Sequence, residues 1–385
     1  MRLAIVNLTG GGLSVGGFKT MNNLVPRLIS HPVVREALVF VPQKVAELCS
    51  SDQQNLITWS NSEWIFGYHR LKDQVRRFAP DIIYVPNGTW IDFGKIPIVT
   101  MIRNMEALAK PFGDNPYQQI AKNLLRRSWA KLACHKSTRI IAVSRFVQEY
   151  LVSQWKIPIH QTDVVPHGID DAPSPESMKE PMILRDKQYP GFFFTAGSLV
   201  SYRGLEDVIH AVANLKAKNH LSSYKLLIAG ESFKHSSQYL DRIKHLAAEQ
   251  GVGSFVIWLG HLSSAEMSWC YHNCEAFIMT SRLEACPNIV LEALSHGCVN
   301  ISTSDAPMPE FFGEAAFYYK AYRPQELKDL MLKVMGLSSL EKQLLREKSR
   351  TIAKRFTWDN TAEKTVVCLQ KAIALSKTKT YVGSI

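Results

Sequence analysis

Short, almost uninterrupted apolar runs recur along the chain, separated by longer segments whose apolar positions repeat every three or four residues. In the first half the runs fall at 3–8, 38–41, 81–85, 98–102, 139–143 and 163–165. In the second they fall at 192–196, 225–229, 255–259, 276–279 and 299–302. Continuous apolar runs of this length predict strands of a parallel sheet covered on both faces. Segments 205–215, 238–249 and 326–334 predict helices between them. Two series of alternating strands and helices predict two Rossmann-like α/β domains. The stretch HGIDDAPSPESMKEPM, residues 167–182, has no periodicity and is rich in Pro, Ser, Asp and Glu, so it reads as the linker between them. Ligands of such sheets sit beyond the carboxyl ends of the strands, which predicts parallel sheets facing a central cleft.

Directly after the first apolar run, residues 8–20 read LTGGGLSVGGFKT, with five glycines between positions 10 and 17. A dinucleotide fingerprint beginning at Gly10 needs its third glycine at position 15, which is Val15. Gly12 and Gly17 have the spacing of a phosphate-binding P-loop, but Phe18 separates them from Lys19 and Thr20. What remains is a strand, a glycine turn and a helix whose apolar face is Met21, Leu24, Val25, Leu28 and Ile29. Pro26 is expected to kink or shorten that helix. Glycines before a helix start still favour an anion.

The 385 residues suffice for two domains, and 46% hydrophobic with 21% charged residues is the balance of a globular protein. The apolar start of the chain is too short for a signal peptide, which predicts a cytoplasmic protein. Seven cysteines without a CxxC pair argue against a disulfide framework. Cys270 and Cys274, one helical turn apart near His272, read as packing rather than as metal ligands. The net charge of +11 leaves nucleic acid, a membrane surface or an anionic substrate as partners. Its one local concentration is QQIAKNLLRRSWAKLACHKS, residues 118–137. That segment predicts a basic helix; its plain reading is a solvated face, and its sharper reading is a helix resting on anionic lipid.

The strongest chemical signal is TSRLEACPNIVLEALSHG, residues 280–297, in which seven residues separate Glu284 from Glu292. Pro287 suits the first turn of a helix that would run to His296, with Gly297 as its C-cap. Glu284 would then precede the helix, Glu292 would lie about one turn inside it, and the amides of Asn288, Ile289 and Val290 would point forward. Carboxylates bind hydroxyls and helix-start amides bind phosphate, so the segment suits a sugar, a diphosphate and a ribose in sequence.

This motif resembles the donor motif of the retaining glycosyltransferases of family 4, which have the GT-B fold. The resemblance runs in order along most of the chain: TGGGLSVGGFKT, RIIAVSRFVQEYL, VVPHGID, TAGSLVSYRGLEDVIHAV, LLIAGE, VIWLGHL and RFTWDNTAEKTV. It implies an acceptor-side domain at 1–170, a nucleotide-sugar-binding domain at 171–355, and a C-terminal helix at 356–385 that returns to the first domain. It implies that Glu284 contacts the transferred sugar, Glu292 the ribose, and residues 288–290 the diphosphate. Gly197, Gly16, Gly17 and Leu262 are further donor-binding positions by the same resemblance. The family's diphosphate-gripping Arg and Lys correspond to Ser198 and Arg203, so one cation is lost and Arg203 keeps the other. Where the family often has His followed by Asp or Asn, this chain has Arg103 and Asn104, and Arg103 is expected to place positive charge near the reacting sugar. His167 stands where Asn is commoner and is expected to cap backbone.

The implied activity is transfer of a hexose from a nucleotide diphosphate sugar to a glycan or lipid-linked acceptor, with retained anomeric configuration, in cell-surface polysaccharide, lipopolysaccharide or capsule synthesis. No Asp-x-Asp stands where a metal would bridge the diphosphate, so neither metal nor cofactor is implied and the nucleotide sugar is a substrate. Nucleic acid is not an expected partner; peripheral contact with the inner face of an anionic membrane is. Alternatives on the same fold are an epimerase or phosphorylase, or a silent nucleotide-sugar-binding protein.

Overall fold

The computed structural model describes residues 1–7, 15–42, 56–59, 64–109, 117–185, 191–217, 224–231 and 237–382. Residues 8–14 of the glycine-rich stretch lie outside the described residues. The chain divides into two compact units: Met1–Ala109 with Lys122–Gly168 and Thr357–Ile385, and Lys110–Ala121 with Ile169–Phe356.

The first unit is built on seven parallel strands: β1 (Arg2–Val6), β2 (Glu36–Pro42), β3 (Leu56–Trp59), β4 (Ile82–Val85), β5 (Ile98–Ile102), β6 (Arg139–Ala142) and β7 (Thr162–Val164). Their order in the sheet is β3-β2-β1-β4-β5-β6-β7. Every residue of β4, β5 and β6 is buried, as a strand covered on both faces requires. The long helix Trp358–Val382 lies over β4, β5 and β6 and packs on the helix Val15–Ile29.

The Val15–Ile29 helix runs through Pro26 to Ile29, where a kink or an early end was expected. Met21, Leu24, Val25 and Leu28 are all buried along one face, and that burial outweighs the amide that proline removes. The helix also starts earlier than its apolar period, taking in Gly16 and Gly17.

The second unit repeats the plan with six parallel strands: β8 (Gly191–Ala196), β9 (Tyr224–Ala229), β10 (Val256–Gly260), β11 (Ala276–Met279), β12 (Asn300–Thr303) and β13 (Ala316–Tyr319). Their order is β10-β9-β8-β11-β12-β13. Leu205, Val208, Ile209, Val212 and Leu215 of the Leu205–Ala217 helix close one face over Leu226, Ile228 and Ile278. Strands β3 and β13 were not anticipated. Both are edge strands, and in β13 only the last of four residues is buried, so it lacks the continuous apolar run of a central strand.

Candidate functional site

In the second sheet the order of connection reverses between β8 and β11. Loops leaving the carboxyl ends of two such strands diverge and leave room for a ligand. Gly197 follows β8, and Thr280 to Glu284 follow β11.

The two glycines there are dictated by the backbone. Gly197 has φ +123° and Gly230 has φ +136°, and a Cβ on Gly230 would stand 1.9 Å from the carbonyl oxygen of Gly197. The exits of β8 and β9 are therefore pressed together, with the Gly197 amide donating to the Ala229 carbonyl at 3.1 Å. A Cβ on Gly197 would meet Nη2 of Arg203 at 2.8 Å, so its absence lets that guanidinium lie over the end of β8.

Arg203 closes the short 3-10 turn Ser201–Arg203 and is held from the β11 loop. Thr280 Oγ1 donates to the Arg203 carbonyl at 2.6 Å, and Arg203 Nη1 donates to Ser281 Oγ at 3.1 Å. The same Nη1 approaches Glu284 Oε1 at 2.7 Å. That approach lies off the hydrogen-bond axis, so Oε1 is buried without an aligned donor. Burial pushes the Glu284 carboxyl above its ordinary value, while Arg203 and the Ser281 hydroxyl pull it down.

Two supports were not read from the sequence. Arg282, two residues before Glu284, pairs with Asp207 at 3.0 Å and lies 3.7 Å from the centre of the Tyr322 ring. Asp207 also accepts from the Tyr319 hydroxyl at 3.3 Å and the Tyr322 amide at 3.1 Å. The second support is Tyr271, whose hydroxyl donates to Glu292 Oε2 at 3.1 Å from beneath the helix Asn288–Ser295. Arg282 sits inside the quoted motif, but only the fold shows that its partner lies 75 residues upstream.

The helix Asn288–Ser295 begins after Pro287, which offers its amides no side-chain cap, and Gly297 has φ +69° just beyond its end. Among the three amides expected to face a ligand, that of Val290 instead donates to the Pro287 carbonyl at 3.0 Å. Ser198 and Leu262 lie on the loops leaving β8 and β10, both half-buried. Cys270 and Cys274 are buried, and Cys274 Sγ lies 4.0 Å from Cys298 Sγ.

In the first unit Gly16 and Gly17 occupy the first turn of the Val15–Ile29 helix. Arg103 directly follows β5, near Tyr84 of β4 and His167 beyond β7. Asn104 Oδ1 accepts from the Glu106 amide at 2.9 Å and so starts the turn Glu106–Ala109. His167 is buried with Nδ1 unpartnered rather than capping backbone through that atom, and its ring lies 6.4 Å from that of Trp358. Burial and the Arg103 charge lower its pKa to about 3, so the ring is neutral.

Residues 180–351 match the family described as glycosyl transferases group 1, and residues 51–172 match glycosyltransferase family 4. An uncharacterized glycosyltransferase of Methanocaldococcus jannaschii is 20% identical over 61% of this chain and 60% of its own length. The mannosylfructose-phosphate synthase of Agrobacterium fabrum is 20% identical over 64% of this chain and 56% of its own length. The chain thus spans between half and two thirds of the curated relatives it matches. Among solved structures, Anabaena HepE in complex with UDP is similar over 96% of this chain and 100% of that one, with a TM-score of 0.73 and 17% identity.

Proposed function

The chain belongs to the group 1, family 4 glycosyltransferases of GT-B fold, and from that premise we propose that it is a retaining hexosyltransferase drawing on a nucleotide diphosphate sugar. The observation that carries this reading is the Arg203–Glu284 pair at the switch point of the second sheet. A cation and a carboxylate held together there match the two ends of such a donor.

Departure of the diphosphate leaves negative charge on its bridging oxygen and positive charge on the sugar carbon. Arg203 forks onto phosphate oxygens, and the Asn288 and Ile289 amides add to it at the uncapped start of their helix. Glu284 accepts from sugar hydroxyls and orients the reacting carbon. Glu292, steadied by Tyr271, accepts from the ribose. The departing oxygen takes the acceptor's proton on the same face, which retains configuration. The UDP bound by the Anabaena neighbour supports a uridine nucleotide as the first donor to test.

The acceptor we propose is a glycan or lipid-linked sugar, reached from a membrane surface in cell-surface polysaccharide synthesis. The helix Tyr117–Lys136 supports this, because large apolar side chains stand among basic ones on its outer face. Asn123, Ala130, Ala133 and Cys134 are its buried residues, while Leu125 (60% exposed), Trp129 and Leu132 (41% each) face outward. Lys122, Arg126, Arg127, Lys131 and Lys136 accompany them, and the helix contains no Asp or Glu. Such a face suits an anionic bilayer, which it would lie on rather than cross. Among the described residues no helix is long and apolar enough to span a membrane.

The test of retention is the anomeric proton coupling of the product, measured by NMR with an anomerically pure donor. The product should carry the donor's configuration; inversion would overturn the mechanism.

A further inference from the structure

The first unit carries a cation that its described residues leave unanswered. Three other poorly exposed arginines each have a carboxylate: Arg139 with Asp163 at 2.7 Å, Arg203 with Glu284 at 2.7 Å, and Arg282 with Asp207 at 3.0 Å. Arg103 has none among the described residues, and what acts on its charge is burial and the Tyr84 phenol. Its Nη1 is sealed from solvent without a hydrogen-bond partner. The Arg103 charge acts on His167, whose ring lies 6.4 Å from that of Trp358, and Nδ1 of His167 and Nε1 of Trp358 are buried and unpartnered as well.

None of these neighbours supplies the missing charge. Burial holds the Tyr84 phenol protonated and His167 neutral. A guanidinium does not shed its proton in a protein, and an indole N–H can only donate. A partly buried cation beside an unpartnered imidazole nitrogen and an indole N–H, with no carboxylate among the described residues, is the protein half of an anion site, since isolated charge in such surroundings is strongly disfavoured. Its place agrees: Arg103 follows β5 and His167 lies beyond β7, both at the carboxyl edge of a parallel sheet.

We propose that Arg103, with His167 and Trp358, forms a subsite for an anionic group, a phosphate or a carboxylate, carried by the acceptor. The assignment to the acceptor rests on the glycosyltransferase reading above, in which the donor diphosphate is served by Arg203 and the 288–295 helix start of the second unit. The acceptor is then an anionic sugar or lipid-linked sugar, and Arg103 selects it against its neutral counterpart.

The test is calorimetric titration of inorganic phosphate into the full chain at fixed ionic strength, with excess UDP filling the diphosphate site. One saturable site is expected, weakened at least tenfold in Arg103→Met and unchanged in Glu284→Ala. A parallel titration with acetate separates a carboxylate site from a phosphate site. Because Arg103→Met removes a partly buried side chain, the wild type is also treated with phenylglyoxal and mapped by mass spectrometry. Phosphate should slow modification of Arg103 severalfold and leave Arg282 unaffected. Phosphate that neither binds beside UDP nor shields Arg103 overturns the subsite. Equal weakening of UDP in Arg103→Met also overturns it, because the cation then serves the donor. If Glu284→Ala transfers sugar at the wild-type rate while phosphate still shields Arg103, the donor reading fails and the anion subsite stands.

Discussion

Replacing Arg282 with Met should destabilise the second unit by about 3–5 kcal/mol, the cost of breaking a buried ion pair by removing one partner. The pair is poorly exposed on both sides, 10% for the Arg282 side chain and 4% for that of Asp207. Methionine conserves much of the stem's volume, so the loss is mainly electrostatic. Asp207 keeps the Tyr319 hydroxyl and the Tyr322 amide, which offsets part of its exposure as an unpaired charge. Loss of the contact with Tyr322 adds about 0.5–1 kcal/mol, because that ring is 65% exposed. Urea unfolding followed by tryptophan fluorescence reads the change, since Trp258 and Trp269 belong to this unit. The double variant Arg282→Met with Asp207→Asn removes the orphaned charge as well as the pair. It should therefore be less destabilised than the sum of the two single variants, by roughly 1–3 kcal/mol. A loss under 1 kcal/mol for Arg282→Met, or strict additivity, would refute the view that this pair anchors the Glu284 loop.

Three further outcomes follow from the same contacts. Tyr271→Phe removes the hydroxyl that donates to Glu292, and at about 1 kcal/mol for one such bond the KM for donor should rise roughly fivefold with kcat little changed; an unchanged KM would detach Tyr271 from the ribose contact proposed for Glu292. His167 has a folded pKa lowered to about 3 from 6.5, so the unfolded chain binds the extra proton between those values and stability should rise with pH across that window. His167→Gln should flatten the slope, measured as the urea midpoint at pH 4 against pH 7. Leu125→Glu with Trp129→Glu should abolish co-sedimentation with phosphatidylglycerol vesicles while leaving soluble-donor binding intact, as both side chains face outward; undiminished sedimentation would remove the 117–136 helix from the membrane.

The central strands were legible because each is buried on both faces and so reads as a continuous apolar run, as with Ile98–Ile102 and Ala276–Met279. The edge strand Ala316–Tyr319 was not, because its half-exposed aromatics do not form such a run. The helix at Asn288–Ser295 was legible from Pro287 and Gly297, whereas the use of the Val290 amide by the Pro287 carbonyl is a matter of local geometry. Arg203 and Glu284 could be named from the family resemblance; that they meet at 2.7 Å depends on Gly197 yielding its side-chain space. Asp207, Tyr271 and Trp358 have no local signature, since each acts on a residue tens or hundreds of positions away. Arg103 drew notice as a departure from a family pattern, but its lack of a carboxylate among the described residues is visible only in the fold.

Sugar transfer at the second unit is tested most directly by incubating the chain with a panel of nucleotide diphosphate sugars and an acceptor extract and measuring nucleoside diphosphate release. One donor should be turned over, and Glu284→Ala should lower kcat at least a hundredfold while the nucleoside diphosphate still binds, because the contact proposed for Glu284 is to the sugar. Turnover in Glu284→Ala equal to that of the wild type would contradict the account.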